Sequence, residues 1–366
     1  MDNRLIVTYG EDPFKMVKEV LEKADLKSLI PKGAKIGIKP NLVVSKPSSS
    51  GATTSPEMVS ALTEYLKAHG FDDIVILESS WIGDSTGRAF KVCGYEDISK
   101  KYGVPLFDIK KDTYSTRPFN GLSMEISDKV LDIDFLINMP VLKGHCQTYI
   151  TGALKNMKGC ISDREKRRFH TLGLHKPIAY LNKVIKSHFI LVDGLCGDLD
   201  FEEGGNPVKM NRIFCGTDPV LIDAYIAACM GYRPHDIDYI KLAADIGVGS
   251  CDIENAEIIV VSRDTTTASP SSSRKVQQLA GFIDQKDACS ACYANLIQAL
   301  ARLNERGMLR HLKGRCIKIG QGYKGIECEG IGIGNCTKGL SHNIKGCPPP
   351  ASDILEFLQD KVLYRR

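Results

Sequence analysis

The run Lys35-Ile-Gly-Ile-Lys39 decides the fold, because this short apolar stretch meets a proline and predicts a buried strand that ends there. Ser55-Pro-Glu57 follows and predicts the start of a helix, with Ser55 as its N-cap. The apolar run at residues 73–78 then predicts the next strand. Strands that alternate with helices in this way are typical of an α/β sheet with parallel strands.

The same alternation extends in both directions from this stretch. Residues 263–274 interrupt it, because they are rich in Ser, Thr and Pro, and they predict a linker. We therefore expect a Rossmann-like α/β body at residues 1–262, with a mostly parallel sheet and flanking helices, and a small cysteine-ligated α+β segment at residues 275–366. Further strands are predicted at residues 4–9, 104–108, 134–138, 188–193 and 256–261, and further helices at 12–24, 148–157, 177–186, 218–230, 236–244, 293–305 and 351–363.

The composition is that of an ordinary globular protein. Of the 366 residues, 43% are hydrophobic and 25% are charged, and the formal net charge is only +4. This near balance gives no support to nucleic-acid binding. The N-terminus has no basic and apolar leader pattern, and no run approaches the roughly 18 apolar residues of a membrane span. We expect a cytoplasmic protein that does not contact membranes.

Thirteen cysteines are unevenly distributed, with six of them from Cys289 onward. In a reducing cytosol, clustered cysteines are more often metal ligands or redox groups than disulfides. Cys289-Ser-Ala-Cys292 is a C-x-x-C pair, Cys336 lies in a glycine-rich run, and Cys347 directly precedes a proline. These four cysteines predict a four-thiolate [4Fe–4S] site. A four-cysteine zinc site has the same number of ligands and stays open as the alternative.

Two further cysteines lie between the predicted ligands. Cys316 is in an apolar run typical of a strand, so we expect a buried structural thiol. Cys328 is the substitute ligand if one of the four is assigned wrongly.

A polar group of residues follows other strands of the body. Lys143 and His145 come directly after the predicted strand 134–138, and helical spacing would place Thr148, Thr151 and Lys155 on one face with Asn156 nearby. Basic groups at a strand end and a helix start favour a carboxylate or phosphate. Lys39 and Asn41 follow another strand and would share the same crevice. The alternative is that the lysines are solvated and the histidine is a cap or core residue.

Residues 193–203 form a second candidate, an acidic run that begins at a predicted strand end. Its carboxylates could hold a divalent cation, although a solvated acidic loop is the commoner outcome.

Several of these motifs together resemble the family known as domain of unknown function 362. The resemblance implies an iron–sulfur protein of the kind found in anaerobes, and it supports the fold, the cluster and a pocket near Lys143 and His145. It does not supply a reaction. The C-terminal motifs Cys289-Ser-Ala-Cys292 and Gly346-Cys-Pro-Pro349 are similar to the iron–sulfur segment of some members. The motifs of the body that carry the resemblance are Lys39-Pro-Asn41, Thr54-Ser-Pro-Glu57, Pro140-Val-Leu-Lys-Gly-His145, Thr151-Gly-Ala-Leu-Lys-Asn-Met-Lys-Gly159, Asp193-Gly194 and Gly216-Thr-Asp-Pro219 with Asp223.

Three functions are compatible with this pattern. In an iron–sulfur oxidoreductase, Lys39, Lys143 and Lys155 would hold a small anionic substrate or second cofactor, with His145 as the proton donor. Lys143 and His145 are the candidate catalytic acid/base groups. The second is an electron carrier that docks a redox partner protein. The third is a non-redox isomerase, lyase or transferase whose cluster is structural or a Lewis acid. A homo-oligomer is compatible with each.

Overall fold

The computed structural model describes residues 3–263, 275–312 and 314–363. The chain forms two compact units. The first comprises Met1–Arg167 and His175–Ser272, and the second comprises Arg168–Leu174 and Ser273–Arg366. Apart from Arg263, the predicted linker at 263–274 lies outside the described residues.

The first unit contains twelve strands and ten complete α-helices among its described residues, and an eleventh α-helix, Asp163–Thr171, begins in it and ends in the segment that belongs to the second unit. The strands are β1 Arg4–Tyr9, β2 Ile36–Pro40, β3 Ile74–Glu78, β4 Leu106–Asp108, β5 Tyr114–Phe119, β6 Leu122–Ser127, β7 Phe135–Met139, β8 Lys143–His145, β9 Tyr149–Thr151, β10 Phe189–Asp198, β11 Pro207–Gly216 and β12 Glu257–Ser262. The helices are α1 Pro13–Lys23, α2 Leu26–Leu29, α3 Pro56–Ala68, α4 Thr86–Val92, α5 Tyr95–Tyr102, α6 Asp128–Leu131, α7 Ala153–Asn156, α8 Asp163–Thr171, α9 His175–Val184, α10 Pro219–Cys229 and α11 Asp238–Asp245.

Eight of these strands form one sheet, in the order β12-β1-β11-β10-β7-β2-β3-β4. Neighbouring strands in it run parallel, except that β11 is antiparallel to β1 and β10. The central strands β2, β3 and β7 consist of buried residues throughout, as expected for parallel strands covered on both faces. The predicted α/β class is therefore confirmed.

Two helices that pack together, α1 and α3, contribute apolar faces to the core around the sheet. Val17 and Leu21 of α1 and Leu62 and Leu66 of α3 are fully buried. Burying one such side chain contributes about 1.5–3 kcal/mol to folding. The predicted N-cap is confirmed, because the Ser55 hydroxyl accepts a 3.3 Å hydrogen bond from the Met58 amide.

The predicted helix over residues 148–157 is mostly wrong. Residues 149–151 instead form β9, which pairs antiparallel with β8, and only the four residues of α7 are α-helical. The physical reason is Gly152, whose extended backbone (φ −148°, ψ −150°) separates the two elements. Consequently Thr148 and Thr151 do not share a helical face with Lys155.

In the acidic run at 193–203, the sequence predicted that a strand ends at Asp193 and a loop begins there, but the structure differs. Strand β10 continues to Asp198 and then turns into β11, which the sequence did not predict. The turn between these two strands therefore carries the remaining acidic residues of the run.

The second unit is built on a four-stranded sheet with strands β13 Ile283–Gln285, β14 Ile317–Ile319, β15 Cys328–Ile333 and β16 Leu340–Ile344. All are parallel and adjacent in chain order. The connections at residues 320–327 and 334–339 are far shorter than the dozen or more residues usual between parallel strands. Each contains a single 3-10 turn, at Gln321–Tyr323 and Asn335–Thr337. The described helices are α12 Lys275–Ala280, α13 Ser290–Glu305 and α14 Ala351–Phe357, the last continuing as a π-helical segment at Leu358–Leu363.

None of the described helices is both long enough and apolar enough to cross a membrane.

Candidate functional site

The first group of polar side chains lies where β2, β3 and β7 end. Lys39 of β2 is fully buried, and its ammonium donates hydrogen bonds to the Glu78 carboxylate at 2.7 Å and to the Pro40 carbonyl at 2.8 Å. Glu78 also accepts from the Leu42 amide at 2.9 Å. This buried ion pair joins the ends of two neighbouring strands.

Lys143 is the second fully buried lysine of the group. Its ammonium donates to Asn41 Oδ1 at 3.1 Å, to the Ala52 carbonyl at 2.5 Å and to the Glu202 carbonyl at 3.0 Å. These bonds use all three of its N–H groups. Burial lowers the pKa of Lys143 to about 8. Lys143 thus joins the β2–α3 connection, which contains Asn41 and Ala52, to the β10–β11 turn, which contains Glu202.

Asparagine side chains extend the hydrogen bonds of Lys143 into a larger network. Asn41 Nδ2 donates to Asn156 Oδ1 at 3.0 Å, and Asn156 Nδ2 donates to Asn138 Oδ1 at 2.7 Å. The structure thus brings Asn41 and Asn156 together with Lys143.

His145, Glu202 and Lys155 form a second linked set. His145 Nδ1 accepts hydrogen bonds from the amides of Gln147 at 3.1 Å and Thr148 at 3.0 Å. Nε2 therefore carries the ring hydrogen, and it lies 3.2 Å from a carboxylate oxygen of Glu202. The other oxygen of Glu202 accepts from the Lys155 ammonium.

The charges of this set follow from burial and proximity. Burial, with Lys155 nearby, lowers the pKa of His145 to about 4, so the imidazole is neutral at pH 7. Burial alone would raise the pKa of Glu202, but Lys155 and His145 hold it well below its usual range. At neutral pH the single N–H of His145 is thus committed to a carboxylate.

Thr148 and Thr151 differ from each other in their surroundings. The Thr148 hydroxyl donates to the Ile150 carbonyl at 3.1 Å. The Thr151 hydroxyl is buried and has no hydrogen-bond partner among the described residues. A buried hydroxyl without a partner costs free energy and is typical of a place where a ligand or water binds.

Two further lysines complete the group. Lys166 donates to the carbonyls of Ser79 at 3.1 Å and Ser80 at 2.8 Å, and it lies 3.2 Å from the Asp163 carboxylate. Lys158 is half-buried, and burial together with Lys155 lowers its pKa to about 7. We call Lys39, Lys143, Lys155, Lys158 and Lys166 the lysine cluster. Four carboxylates, those of Glu78, Asp163, Glu202 and Glu203, lie among them.

Sequence reasoning missed Glu202, which lies in the acidic run. Asp198 organises this turn by accepting hydrogen bonds from the amides of Asp200, Phe201 and Asn206 at 2.8–2.9 Å. Glu202 is thereby turned toward the lysines. Among the described residues, no three His, Cys, Asp or Glu side chains are grouped so that they could hold a metal ion.

The second unit contains a different site, at the carboxyl edge of its parallel sheet. Cys289, Cys292, Cys336 and Cys347 line one small cavity, together with Gly320, Ile333, Gly334, Asn335 and Gly346. Cys336 follows β15, Cys347 follows β16, and the C-x-x-C pair follows β13. Because parallel strands share one direction, their carboxyl ends meet at this edge.

The thiols of this cavity influence one another. Burial first, and then the charges of the other three thiols, raise the pKa of Cys292 to about 12. Cys289 is the N-cap of α13, and its Sγ accepts a 3.6 Å hydrogen bond from the side-chain Nε2 of Gln321. The same Nε2 also donates to the Thr171 carbonyl at 3.1 Å. A positive group among these sulfurs would favour the thiolate forms of Cys289 and Cys292, whose pKa values burial raises.

The two other C-terminal cysteines lie outside this cavity. Cys316 is exposed, so the expectation of a buried structural thiol is wrong. The residue lies just before β14 rather than within it. Cys328 does not line the cavity and accepts a 3.4 Å hydrogen bond from Lys318.

Two glycines shape the cavity wall. Gly334 has a φ of +90°, and a side chain there would begin 3.5 Å from Cys292 Sγ. Gly346 has a φ of +147°, and its Cβ would lie 2.5 Å from the Pro349 Cα. Glycine is therefore required at position 346 by both conformation and space.

Comparison with known proteins gives a family match, a protein of similar sequence and a solved structure of weak similarity. The protein is 26% identical to the thylakoid-associated protein sll1697 of Synechocystis sp. over 227 residues, which cover 59% of this chain and 69% of that protein. Its fold was also compared with the lactate racemase apoprotein of Thermoanaerobacterium thermosaccharolyticum. That match has 17% identity and a TM-score of 0.38, and it covers 68% of this chain but only 59% of the racemase chain.

The family match covers residues 36–228, more than half of the chain, and includes every residue of the lysine cluster. The four cysteines of the cavity lie beyond it. The predicted family is thus confirmed: the chain belongs to the domain of unknown function family DUF362.

Proposed function

We propose that this protein is an iron–sulfur redox protein in which Cys289, Cys292, Cys336 and Cys347 hold a [4Fe–4S] cluster and the lysine cluster binds a small anion. The observation that carries the proposal is the arrangement of these four cysteines around one cavity at the carboxyl edge of a parallel sheet. When bound, such a cluster supplies one-electron transfer. The cluster would deliver electrons to the bound anion, which makes the protein an oxidoreductase.

The residues around the cavity fit such a group. In a [4Fe–4S] site each cysteine binds a different iron, so the sulfurs surround a core instead of meeting at one ion. The wall between them is glycine-rich backbone at positions 320, 334 and 346, which lets the chain approach closely. Cys289 and Cys292 lie at the first turn of α13, where the helix dipole favours thiolates.

The lysine cluster supports anion binding through its charge. The five lysines outnumber the carboxylates of Glu78, Asp163, Glu202 and Glu203, and within the described part of the chain Lys155 donates a hydrogen bond to Glu202 alone. Buried ammonium groups without enough acceptors are costly, and an anion offsets that cost. The buried Thr151 hydroxyl adds one more unused hydrogen-bonding group.

Anaerobic purification with iron, sulfide and zinc analysis tests the cluster. We expect about four iron and four sulfide per chain and a brown protein whose visible absorbance bleaches reversibly with dithionite. Single serine variants at positions 289, 292, 336 and 347 should lose most of the iron. Cys316→Ser and Cys328→Ser are matched controls from the same unit and should keep it. A colourless protein with one zinc would show a structural metal site instead.

Anion binding is tested separately on the same protein. A ligand that binds only the folded state raises the melting temperature, so phosphate and small carboxylates are screened by thermal shift. Lys155→Gln should abolish the response, whereas Lys100→Gln, at an exposed position, should retain it. A reducible cluster without any anion response would indicate an electron carrier, and an anion response without reversible reduction would indicate a non-redox enzyme.

A further inference from the structure

Strand β12 forms one edge of the eight-stranded sheet, and among the described residues it pairs with β1 alone. Its middle consists of four consecutive apolar residues, at positions 258–261. The side chains of Ile258, Val260 and Val261 are 41%, 36% and 36% exposed. Because successive side chains of a strand point to opposite faces, these apolar groups are open to solvent on both faces of the sheet.

An exposed strand edge of this kind is usually protected. It presents unpaired N–H and C=O groups to any other strand, and proteins protect it by shortening the strand or by placing lysine or proline in it. The opposite edge of the same sheet follows this rule, since β4 has only three residues. Strand β12 has six residues, with neither lysine nor proline. It is therefore suited to pair with a further strand.

The hydrogen bonds to β1 determine which backbone groups of β12 are available. The Glu257 amide donates a 3.0 Å hydrogen bond to the Asn3 carbonyl, so it points toward β1. Backbone groups alternate in direction along a strand, and those of Ile258 and Val260 therefore point away from β1. A second antiparallel strand would exchange its hydrogen bonds with these two residues.

We propose that the protein is a homodimer in which the β12 strands of two copies pair antiparallel about a two-fold axis at Val260. In this register Val260 lies opposite Val260 of the other copy, and Glu257 lies opposite Arg263 of the other copy. Both charged residues are exposed. Opposite charges at directly opposed positions stabilise strand pairing, and the two-fold axis provides this pair twice.

The charges favour this register over its neighbours. An axis at Ile259 would set Glu257 against Val261, and an axis at Glu257 would set two like charges against each other. With the axis at Val260, the apolar residues 258–261 of both copies lie side by side, and the two eight-stranded sheets join into one. A second copy of the chain thus fits both the apolar pattern and the charges of this edge. The proposal does not depend on the metal or the anion of the proposed function.

Analytical ultracentrifugation of the full-length protein, purified anaerobically, tests the dimer. We expect the mass of two chains at high concentration and of one chain on dilution. Val260→Lys would place two ammonium groups opposite each other at the axis and should give a monomer. Val92→Lys is the matched control, since Val92 of α4 is 43% exposed, and it should keep the dimer. Circular dichroism checks that both variants are folded.

Two results of this experiment would overturn the proposal. One is a dimer that survives Val260→Lys. The other is a parent protein that is monomeric at every concentration, which would mean that another segment of the chain or a different protein covers β12.

A charge exchange tests the register and does not depend on Val260→Lys. Glu257→Arg alone and Arg263→Glu alone each set like charges opposite each other and should weaken the dimer at least several-fold. A mixture of the two variants restores opposite charges at both positions, so it should form a mixed dimer. Such recovery also shows that both variants are folded. A mixture that associates no better than its components overturns the proposed pairing.

Discussion

Gly159 limits the space around the Lys39–Glu78 ion pair. A Cβ at this position would lie 2.5 Å from the Lys39 ammonium nitrogen and also against the Glu78 carboxylate. Gly159→Ala should therefore displace the pair and destabilise the fold by about 1–3 kcal/mol, the usual effect of overpacking. Urea unfolding measures the change. Gly87→Ala, where the closest atom to the new Cβ would be 3.9 Å away, is the control and should be neutral or slightly stabilising.

His145 should make the folded state sensitive to acid. Its pKa in the fold is about 4, below the ordinary value of 6.5, so the unfolded chain binds more protons between these values. Its contribution to stability is complete above about pH 6.5 and is lost as the pH falls toward 4. The slope from this residue is at most about 1.4 kcal/mol per pH unit.

His145→Gln checks this assignment. The free energy of unfolding is measured from pH 7 to pH 4.5 for both proteins, and the difference between them should shrink as the pH falls. A constant difference across this range would show that another group titrates.

The sequence located most of the lysine site because strand ends are readable from apolar runs. Lys39, Asn41, Lys143 and Asn156 were placed in one crevice, and they are linked by hydrogen bonds. Glu202 was missed because its run of acidic residues looks like a solvated loop. Its inward position depends on three backbone amides bound by Asp198, which composition does not reveal.

The glycine-rich connections of the second unit determine where the cysteines lie. Gly346 combines a positive φ with a Cβ position only 2.5 Å from the Pro349 Cα. Gly346→Ala should therefore move Cys347 and lower the iron bound per chain at least several-fold. Gly325→Ala is the matched control, since Gly325 has a φ of +79° with nothing within 4 Å of its Cβ position.

Gly325→Ala should lower the free energy of unfolding by only the backbone strain of about 1–2 kcal/mol, and the protein should keep its iron. Equal iron loss in both variants would mean that strain alone, and not the position of Cys347, determines metal binding. Iron content and circular dichroism of both proteins distinguish these outcomes.

Among the helices and strands, those with a long apolar pattern in the sequence were predicted most accurately. The predicted strand at 4–9 and the helix at 12–24 match β1 and α1 within a residue. The helix predicted at 148–157 failed because Gly152 permits an extended backbone and β9 gains a partner in β8. Strands β15 and β16 lie within the glycine-rich residues 320–346. The sequence did not predict them, because they depend on pairing with a neighbouring parallel strand and not on a local apolar pattern.

The division into two compact units makes a prediction for the whole molecule. Unfolding of a chain with two such units is seldom a single transition. Removing bound metal should lower only the melting temperature of the second unit, because metal binding adds to the stability of the unit that holds it. The double variant Cys289→Ser/Cys292→Ser should have the same selective effect.

Calorimetry combined with visible absorbance follows the two events. The absorbance loss should coincide with the lower transition, and the upper transition should not move in the double variant. Coincident transitions that shift together would show that the units unfold as one.

The short crossovers of the second unit also bear on the order of folding. Its strands β14, β15 and β16 pair across connections of eight and six residues, whereas β1 pairs with the distant strands β11 and β12, as Ile6 does with Cys215 and Arg4 with Glu257. Low contact order speeds folding, because less chain entropy is lost before contacts form. Pulse-labelled hydrogen exchange should find β14–β16 protected before β1. The four cysteines of the cavity would then be close together and able to bind metal before β1 has joined the larger sheet.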